Sequence, residues 1–445
     1  MKNKLITIAC IILLIICYLA YRGFATYYLI TESKKLFKNK PDIFSKEKSI
    51  WNIKPDNNNF PEYALKFVPD EKYQSELTDI SNYIYKEKNI YTSYFQKELI
   101  DKIEKILPNN LSDYKSYLVS SIKKKMTVAK TAKQPSFNES FDLPAMPKGT
   151  LFTQTSKYWY ALSRLFEVKN QDYETSLLLS LGIFYLSKDM ITNYCHSFTT
   201  LNKAFSNSMN QYACDSILIW ASKPKNQYGT LSKKVAKDIL DFVKTEYSFS
   251  NFLEINRVAA DADFKIIFKH FAKGWLKKFP NSRKYNNLMS LLYEKPQKFI
   301  DKPLYELEKE LNEMQKDEDK LYEDFDKIQT EPVKAILKIF FFTEDVVATR
   351  FIASYYPNLK RLKRGTEDTL AKMEFTAIAL AINSFYAEKN RIPTSIAELN
   401  SWFGEDLPKN RLSGEPYKLD LEGKHLLTNE QFDLGMNKLY FDLIR

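Results

Sequence analysis

The chain opens on one unbroken apolar run and then settles into steps of three and four residues. Leu5 to Tyr21 reads "LITIACIILLIICYLAY", 17 residues without a charge. As a helix it is about 26 Å long, against a bilayer hydrocarbon core of about 30 Å. Arg22 can snorkel at its end, and Tyr18, Tyr21, Phe24, Tyr27 and Tyr28 supply the aromatic fringe expected where a helix leaves the bilayer. Residues 1–25 are therefore expected to be a single transmembrane anchor. The competing reading is a cleaved signal peptide with Gly23 and Ala25 before the cut; the run is long for that, and Arg22 falls in the cleavage region. Lipidation is not expected, because Cys17 follows Ile16 rather than a small residue and Cys10 comes too early.

Residues 26–60 carry Lys, Asn and Pro55 with few periodic apolar positions and read as a stalk. From 61 the periodicity is that of amphipathic helices, so 61–360 is expected to be a helical body. Pro135, Pro144, Pro147 and Gly149 sit in polar sequence and mark an internal boundary at 130–150. Tyr158 to Val168 and Asp172 to Met190 read as a helical hairpin. Its second arm holds "LLLSLGIFYL", too short to span a membrane and therefore a core helix. Leu304, Leu307, Leu311, Met314, Leu321, Phe325 and Ile328 form a narrow apolar stripe broken only by Glu318, suited to packing on one partner helix. "ILKIFFF" (Ile336 to Phe342) carries Lys338 and is also too short to cross a membrane. A single tetratricopeptide-like stretch around "DYETS" has no second copy, so no repeat array is expected.

Composition narrows the class. With 445 residues, 44% of them hydrophobic, the chain can bury a large core, while only 10 Gly leave few positions for left-handed turns or phosphate-cradling loops. Long helices are favoured. The formal charge is +11, of which Lys2, Lys4 and Arg22 carry three beside the apolar run, leaving +8 over the rest. That is modest for such a length and does not make the chain a nucleic-acid binder. The positive-inside count sets Lys2, Lys4 and the α-amine against Arg22, Lys34, Lys35, Lys38 and Lys40, which taken naively keeps the body in the cytoplasm. Long domains translocate largely regardless of charge, however, and a short Lys-bearing tail is the usual cytoplasmic end of a bacterial signal anchor. The expected location is the bacterial inner membrane, single-pass, with the bulk of the chain periplasmic.

Reactive constellations are scarce. The three His, at 196, 270 and 425, lie in different segments and in no metal-ligand spacing, and no nucleophile elbow, Walker loop or dinucleotide fingerprint occurs. No cofactor is expected. Acidic residues are plentiful, so a carboxylate pair of glycosidase type is open to the chain, although sequence spacing does not reveal one; Asp261 and Asp263 read as a solvated face. Beyond the anchor only Cys195 and Cys214 remain, an even pair that in an oxidising compartment would close a loop of about 20 residues. The alternative is two small buried hydrophobes that never meet. The most polarised stretch is "FKIIFKHFAKGWLKKFPNSRK" (Phe264 to Lys284), where Lys265, Lys269, Lys273 and Lys277 step by four along one face. Such a face suits an anionic surface or simply water. Lys360, Arg361, Lys363 and Arg364 form a second basic cluster.

Residues 361–445 form a distinct pattern. Thr366 is placed to cap a helix whose Leu370, Met373, Ala377, Leu380, Ala381 and Phe385 share an apolar face, and Asn390 to Pro393 stops it. "PTSIAELN" follows as a short capped turn, then "YKLDLEGKHLLTN", a hairpin turning at Glu422-Gly423, and "LYFDLIR", a closing strand. This order, with Leu407, Pro408, Gly414, Pro416 and Tyr417, resembles the soluble half of type II secretion pseudopilins over about 80 residues. The chain departs from that pattern at Asn410-Arg411-Leu412, has no evident acidic calcium loop, and lacks a prepilin-type cleavage site before its apolar run. It is similar also, through Ala381, Pro393, Ser395, Leu399, Leu407, Pro408, Ser413, Gly414 and Pro416, to an uncharacterised bacterial membrane-anchored family.

The expected fold is mainly α, with an N-terminal transmembrane helix, a large helical body and a small C-terminal α+β module bearing an antiparallel sheet. The expected role is a membrane-tethered extracytoplasmic scaffold that binds a protein partner without catalysis. An accessory part of a secretion or type IV pilus-like envelope machine is the alternative, and a carboxylate-dependent envelope hydrolase the third reading.

Overall fold

The computed structural model describes residues 74–86, 93–107, 111–127, 147–189, 200–222, 226–244, 283–330 and 358–420, with short stretches at 50–51, 139–140, 425–427 and 440–442 and parts of 12–20, 249–261 and 348–352. Most of the stalk and the basic stretch over 264–282 lie outside the described residues. So does much of Leu5 to Tyr21. No helix among the described residues is long and apolar enough to cross a membrane.

The architecture is mainly helical. In chain order the helices are α1 (Gln74–Lys86), α2 (Ser93–Ile103), α3 (Leu111–Thr127), α4 (Pro147–Val168), α5 (Tyr173–Asp189), α6 (Thr200–Ala221) and α7 (Gly229–Lys244). After them come α8 (Arg283–Met289), α9 (Glu308–Thr330), α10 (Leu359–Lys389) and α11 (Ile396–Phe403). Helix α4 packs on α1, α2, α5 and α6; α5 also meets α3, and α10 lies along α6 and α7. Beyond α11, the three-residue strands β1 (Lys418–Asp420), β2 (His425–Leu427) and β3 (Tyr440–Asp442) pair antiparallel in that order, with Asp420 opposite His425.

The helical hairpin sits where the periodicity places it, around a tight connection at Lys169 to Asp172. Asp172 accepts from Thr175 N–H at 3.1 Å and from the Thr175 hydroxyl at 2.8 Å, satisfying orphan donors at the start of α5. The first arm begins earlier than the apolar pattern suggests, because Pro147 serves as its first residue, where a missing N–H does no harm. Its aromatic run is wholly inside: Tyr158, Trp159 and Tyr160 are each at most 1% exposed. Trp159 Nε1 donates to Tyr114 Oη at 2.8 Å and Tyr158 Oη to the Ile106 carbonyl at 3.2 Å, so their polar atoms do not go unpaired. Gly182 lets α5 approach α3 closely, since a Cβ there would come within 2.8 Å of Ile122 Cδ1.

Two sequence expectations are corrected. The helix expected to start at Thr366 starts at Leu359, capped by Asn358, whose Oδ1 accepts from Arg361 N–H at 2.9 Å. Gly365 costs about 1 kcal/mol in a helix interior. Burial of the whole stretch from Gly365 to Phe385 outweighs that, and the Thr366 hydroxyl accepts from Asn207 Nδ2 at 3.2 Å instead of capping. Glu318 is not a break in the apolar stripe of α9: at 0% exposure it lies in the same buried row as Leu307, Leu311, Met314 and Leu321. The stripe's first turn is 3-10, from Leu304 to Glu306 after Pro303, and α9 proper begins at Glu308.

The turn after α10 follows the sequence closely. Asn390 takes a left-handed φ of 53° and ends the helix. Ser395 Oγ accepts from Glu398 N–H at 3.1 Å, and Glu398 accepts in return from Thr394 N–H at 2.6 Å, while Gly404 closes α11 at φ 90°.

Candidate functional site

An apolar helix buried on every side should exclude charge, yet α10 carries Lys363, Glu367, Lys372 and Glu374 inside, each at most 6% exposed. Lys363, Glu367 and Glu374 form one cluster with the loop that follows α11. Lys363 Nζ lies 2.6 Å from Glu367 Oε1, one helical turn away. Arg411 then spans two turns of α10: Nη1 is 3.0 Å from Glu367 Oε2 and Nε is 2.8 Å from Glu374 Oε1. Tyr417 Oη donates to the Ala371 carbonyl at 3.1 Å and lies 3.4 Å from Glu374 Oε2, its ring 6.0 Å from that of Phe375. Two cations thus meet two carboxylates, which is the condition under which buried charge is tolerated. Burial lifts the Glu374 carboxyl to about 7, with Arg411 pulling the other way. Burial also lowers Lys363, opposed by Glu367. Lys372 is paired separately, 2.6 Å from Asp215 on α6.

The loop that presents Arg411 is shaped by its own residues. Asn410 is buried, its Oδ1 accepts from Leu412 N–H at 2.9 Å, and its backbone pairs with Glu415 and Gly414. Gly414 takes φ 76°, where a Cβ would also press within 3.1 Å of the Tyr305 ring. Asn410 thus shapes the loop from within, while Arg411 and Tyr417 dock it on α10.

A second polar cluster joins α4, α5 and α6. Ser163 Oγ lies 2.9, 3.1 and 3.0 Å from the hydroxyls of Ser176, Ser180 and Ser216, and Ser180 lies 2.7 Å from Ser216. Arg164, at 0% exposure, reaches Ser163 Oγ at 3.1 Å and the Ser216 carbonyl at 3.2 Å, while its Nη1 lies 2.7 Å from Glu167 Oε2. The third feature is Glu318, whose Oε1 accepts from Leu359 N–H at 3.2 Å, at the positive end of α10.

The first two clusters are bonded among their own residues. Glu318 and Glu374 are both lifted to about 7. The first sits beside Leu359, and 15 residues of helix place the second about 22 Å further along the axis, far outside the separation of about 5–9.5 Å at which two carboxyls flank a glycosidic bond. Glu367 and Glu374 are close to each other but hold Arg411 between them. Among the described residues no group of three His, Cys, Asp or Glu is placed to hold a metal ion.

Of the residues singled out from sequence, Cys214 is a fully buried free thiol whose pKa burial pushes up to about 12; Cys195 lies outside the described residues. Lys265, Lys269, Lys273 and Lys277 lie outside them as well. The second basic cluster is split: Lys363 turns inward to Glu367, Lys360 Nζ donates to Asn312 at 3.0 Å, and Arg361 stays exposed. Asp261 is only half-solvated and accepts from Tyr285 Oη at 3.2 Å. Arg164, Glu367, Glu374, Arg411 and Tyr417 were not anticipated. The spacing of seven between Glu367 and Glu374, two turns apart on one helix face, is the signal that points to the latter cluster.

Comparison of the chain with protein-family models, with curated proteins and with solved structures finds no match.

Proposed function

We propose that the chain is a membrane-tethered extracytoplasmic protein that acts as a non-catalytic scaffold for a protein partner. The observation that carries the tether is the row Ile12, Leu13, Leu14, Ile15, Ile16 and Tyr18, helical in the described stretch and each between 52% and 69% exposed. Elsewhere among the described residues large exposed apolar side chains are scattered singly, at Val168, Leu291 and Tyr305. A continuous apolar helix left uncovered by its own chain calls for an apolar surrounding, and together with the uncharged run from Leu5 to Tyr21 a bilayer meets that need. The scaffold role rests on buried charged groups used for packing: they tie α10 to Arg411, Asp215 and α9.

The alternative, an accessory part of a secretion or pilus-like envelope machine, is favoured by one feature, the docking of the loop from Leu407 to Tyr417 on the long helix α10. In the resemblance this loop is the most specific element. A reporter enzyme active only after export, fused behind residue 25, tests the tether and its direction: activity supports the reading and a silent fusion overturns it. Crosslinking of the full chain in intact cells, followed by identification of its neighbours, separates the two roles. Repeated recovery of envelope-machine subunits favours the second.

A further inference from the structure

Among the described residues Glu318 is the one member of the buried α9 row that is not apolar, and no cation pairs with it directly; Lys360 attracts its charge without bonding to it. Its Oε1 accepts a single backbone hydrogen bond, from Leu359 N–H, and its Oε2 has no hydrogen-bond partner. The charged and titratable groups around it are otherwise engaged or of the wrong sign. Lys360 on α10 turns its Nζ to Asn312. Asp319 is the adjacent acid, and Tyr322 lies one turn on, itself next to Tyr293 from the turn packed on α9. Lys295 from that same turn engages Asp317. The positive end of α10 offsets part of a negative charge, but an ionised carboxylate with one free oxygen inside an apolar row remains strongly unfavourable.

We propose that Glu318 is a proton-operated catch at the joint between α9 and α10. As the neutral acid it closes the apolar row and holds the first turn of α10 against α9; on ionisation the joint opens to let the carboxylate reach water. Burial, the largest influence on this carboxyl, lifts it to about 7, with the Leu359 hydrogen bond and Lys360 opposing and Asp319 adding to the rise. The sign follows from linkage: the folded value lies above that of a free glutamate, so the contact is at full strength below the ordinary glutamate range, weakens as pH rises from there to about 7, and weakens no further above it.

Hydrogen exchange of the full-length protein in detergent, corrected for intrinsic exchange, reads the joint directly between about pH 5 and about pH 8.5. Release of one proton makes the opening equilibrium of α9 and of the first turn of α10 rise by up to about tenfold per pH unit between the ordinary glutamate range and about 7 and level off above it, while α4 to α6 stay level. Glu318→Gln keeps an oxygen for Leu359 N–H but does not ionise, and its exchange at the joint should be independent of pH. Should that variant not fold, Glu318→Met, of similar volume, serves the same comparison. Equal slopes in the wild type and the variant, or a wild type without a slope, would overturn the catch.

Discussion

Arg411 Nε lies 2.8 Å from Glu374 Oε1, joining residues 37 positions apart and fastening the loop before β1 to the buried helix α10. The two carboxylates Arg411 serves are 3% and 4% exposed, so removing it leaves Glu367 with Lys363 alone and Glu374 with no cation. Arg411→Ala should therefore destabilise the protein by about 3 kcal/mol, the low end for breaking a buried pair because Arg411 is itself partly exposed. Arg411→Lys should recover less than half of that, since an ammonium does not reproduce the two-pronged contact. Denaturant unfolding measures both. A loss below about 1 kcal/mol would mean that the loop is held by Tyr417 and its apolar neighbours instead.

The Arg164 cluster predicts a double-mutant effect. Arg164→Met leaves Glu167 without its cation, and three buried hydroxyls lose a shared donor. The expected loss is about 3–5 kcal/mol. Adding Glu167→Leu removes the stranded carboxylate and should restore a large part of that loss. Additive losses in the two variants would show that Arg164 and Glu167 do not act as a pair.

Glu398 sets the acid behaviour of the turn between α10 and α11. Its carboxylate is held down to about 2, first by Arg391 and then by the backbone and hydroxyl of Thr394. A depressed value means that the turn's contribution is present above the ordinary glutamate range and is lost as pH falls towards about 2. Backbone amide protection at Thr394 and Glu398 should decline over that acid range while α4 to α6 remain protected. Glu398→Gln should lack the transition, and an unchanged acid profile in that variant would refute the assignment.

Cys214 should be chemically silent in the folded state. Burial pushes its thiol up to about 12, so almost no thiolate exists near neutrality, and the side chain is fully enclosed. An alkylating reagent at about pH 8 should label it only after denaturation. Labelling of the native protein at Cys214, read by peptide mass spectrometry, would contradict the closed packing of α6 against α10.

The helical hairpin at Asp172, the stop at Asn390 and the cap at Ser395 were all legible, because each is a local device: at Asp172 and Ser395 a side-chain oxygen meets a backbone N–H three residues on, and at Asn390 a left-handed backbone closes on Tyr386. The start of α10 was not. Gly365-Thr366 carries the local marks of a helix beginning, and only contacts made far along the chain override them. Thr366 meets Asn207, and Leu359 meets Glu318. Arg411 was visible as a departure from a family pattern, but its purpose lay 37 and 44 residues upstream in Glu374 and Glu367.

By itself, the sequence of this chain determined that it builds helices, which faces of them are apolar, and where several of them end, since periodicity and capping act over a turn or two. It also marks the apolar run from Leu5 to Tyr21. Only the tertiary structure decided which charged residues go inside. Glu318, Glu367 and Glu374 read as ordinary polar positions until α9 and the loop at Arg411 close over α10, because a charge is buried or solvated by what packs on it and not by its neighbours in the chain.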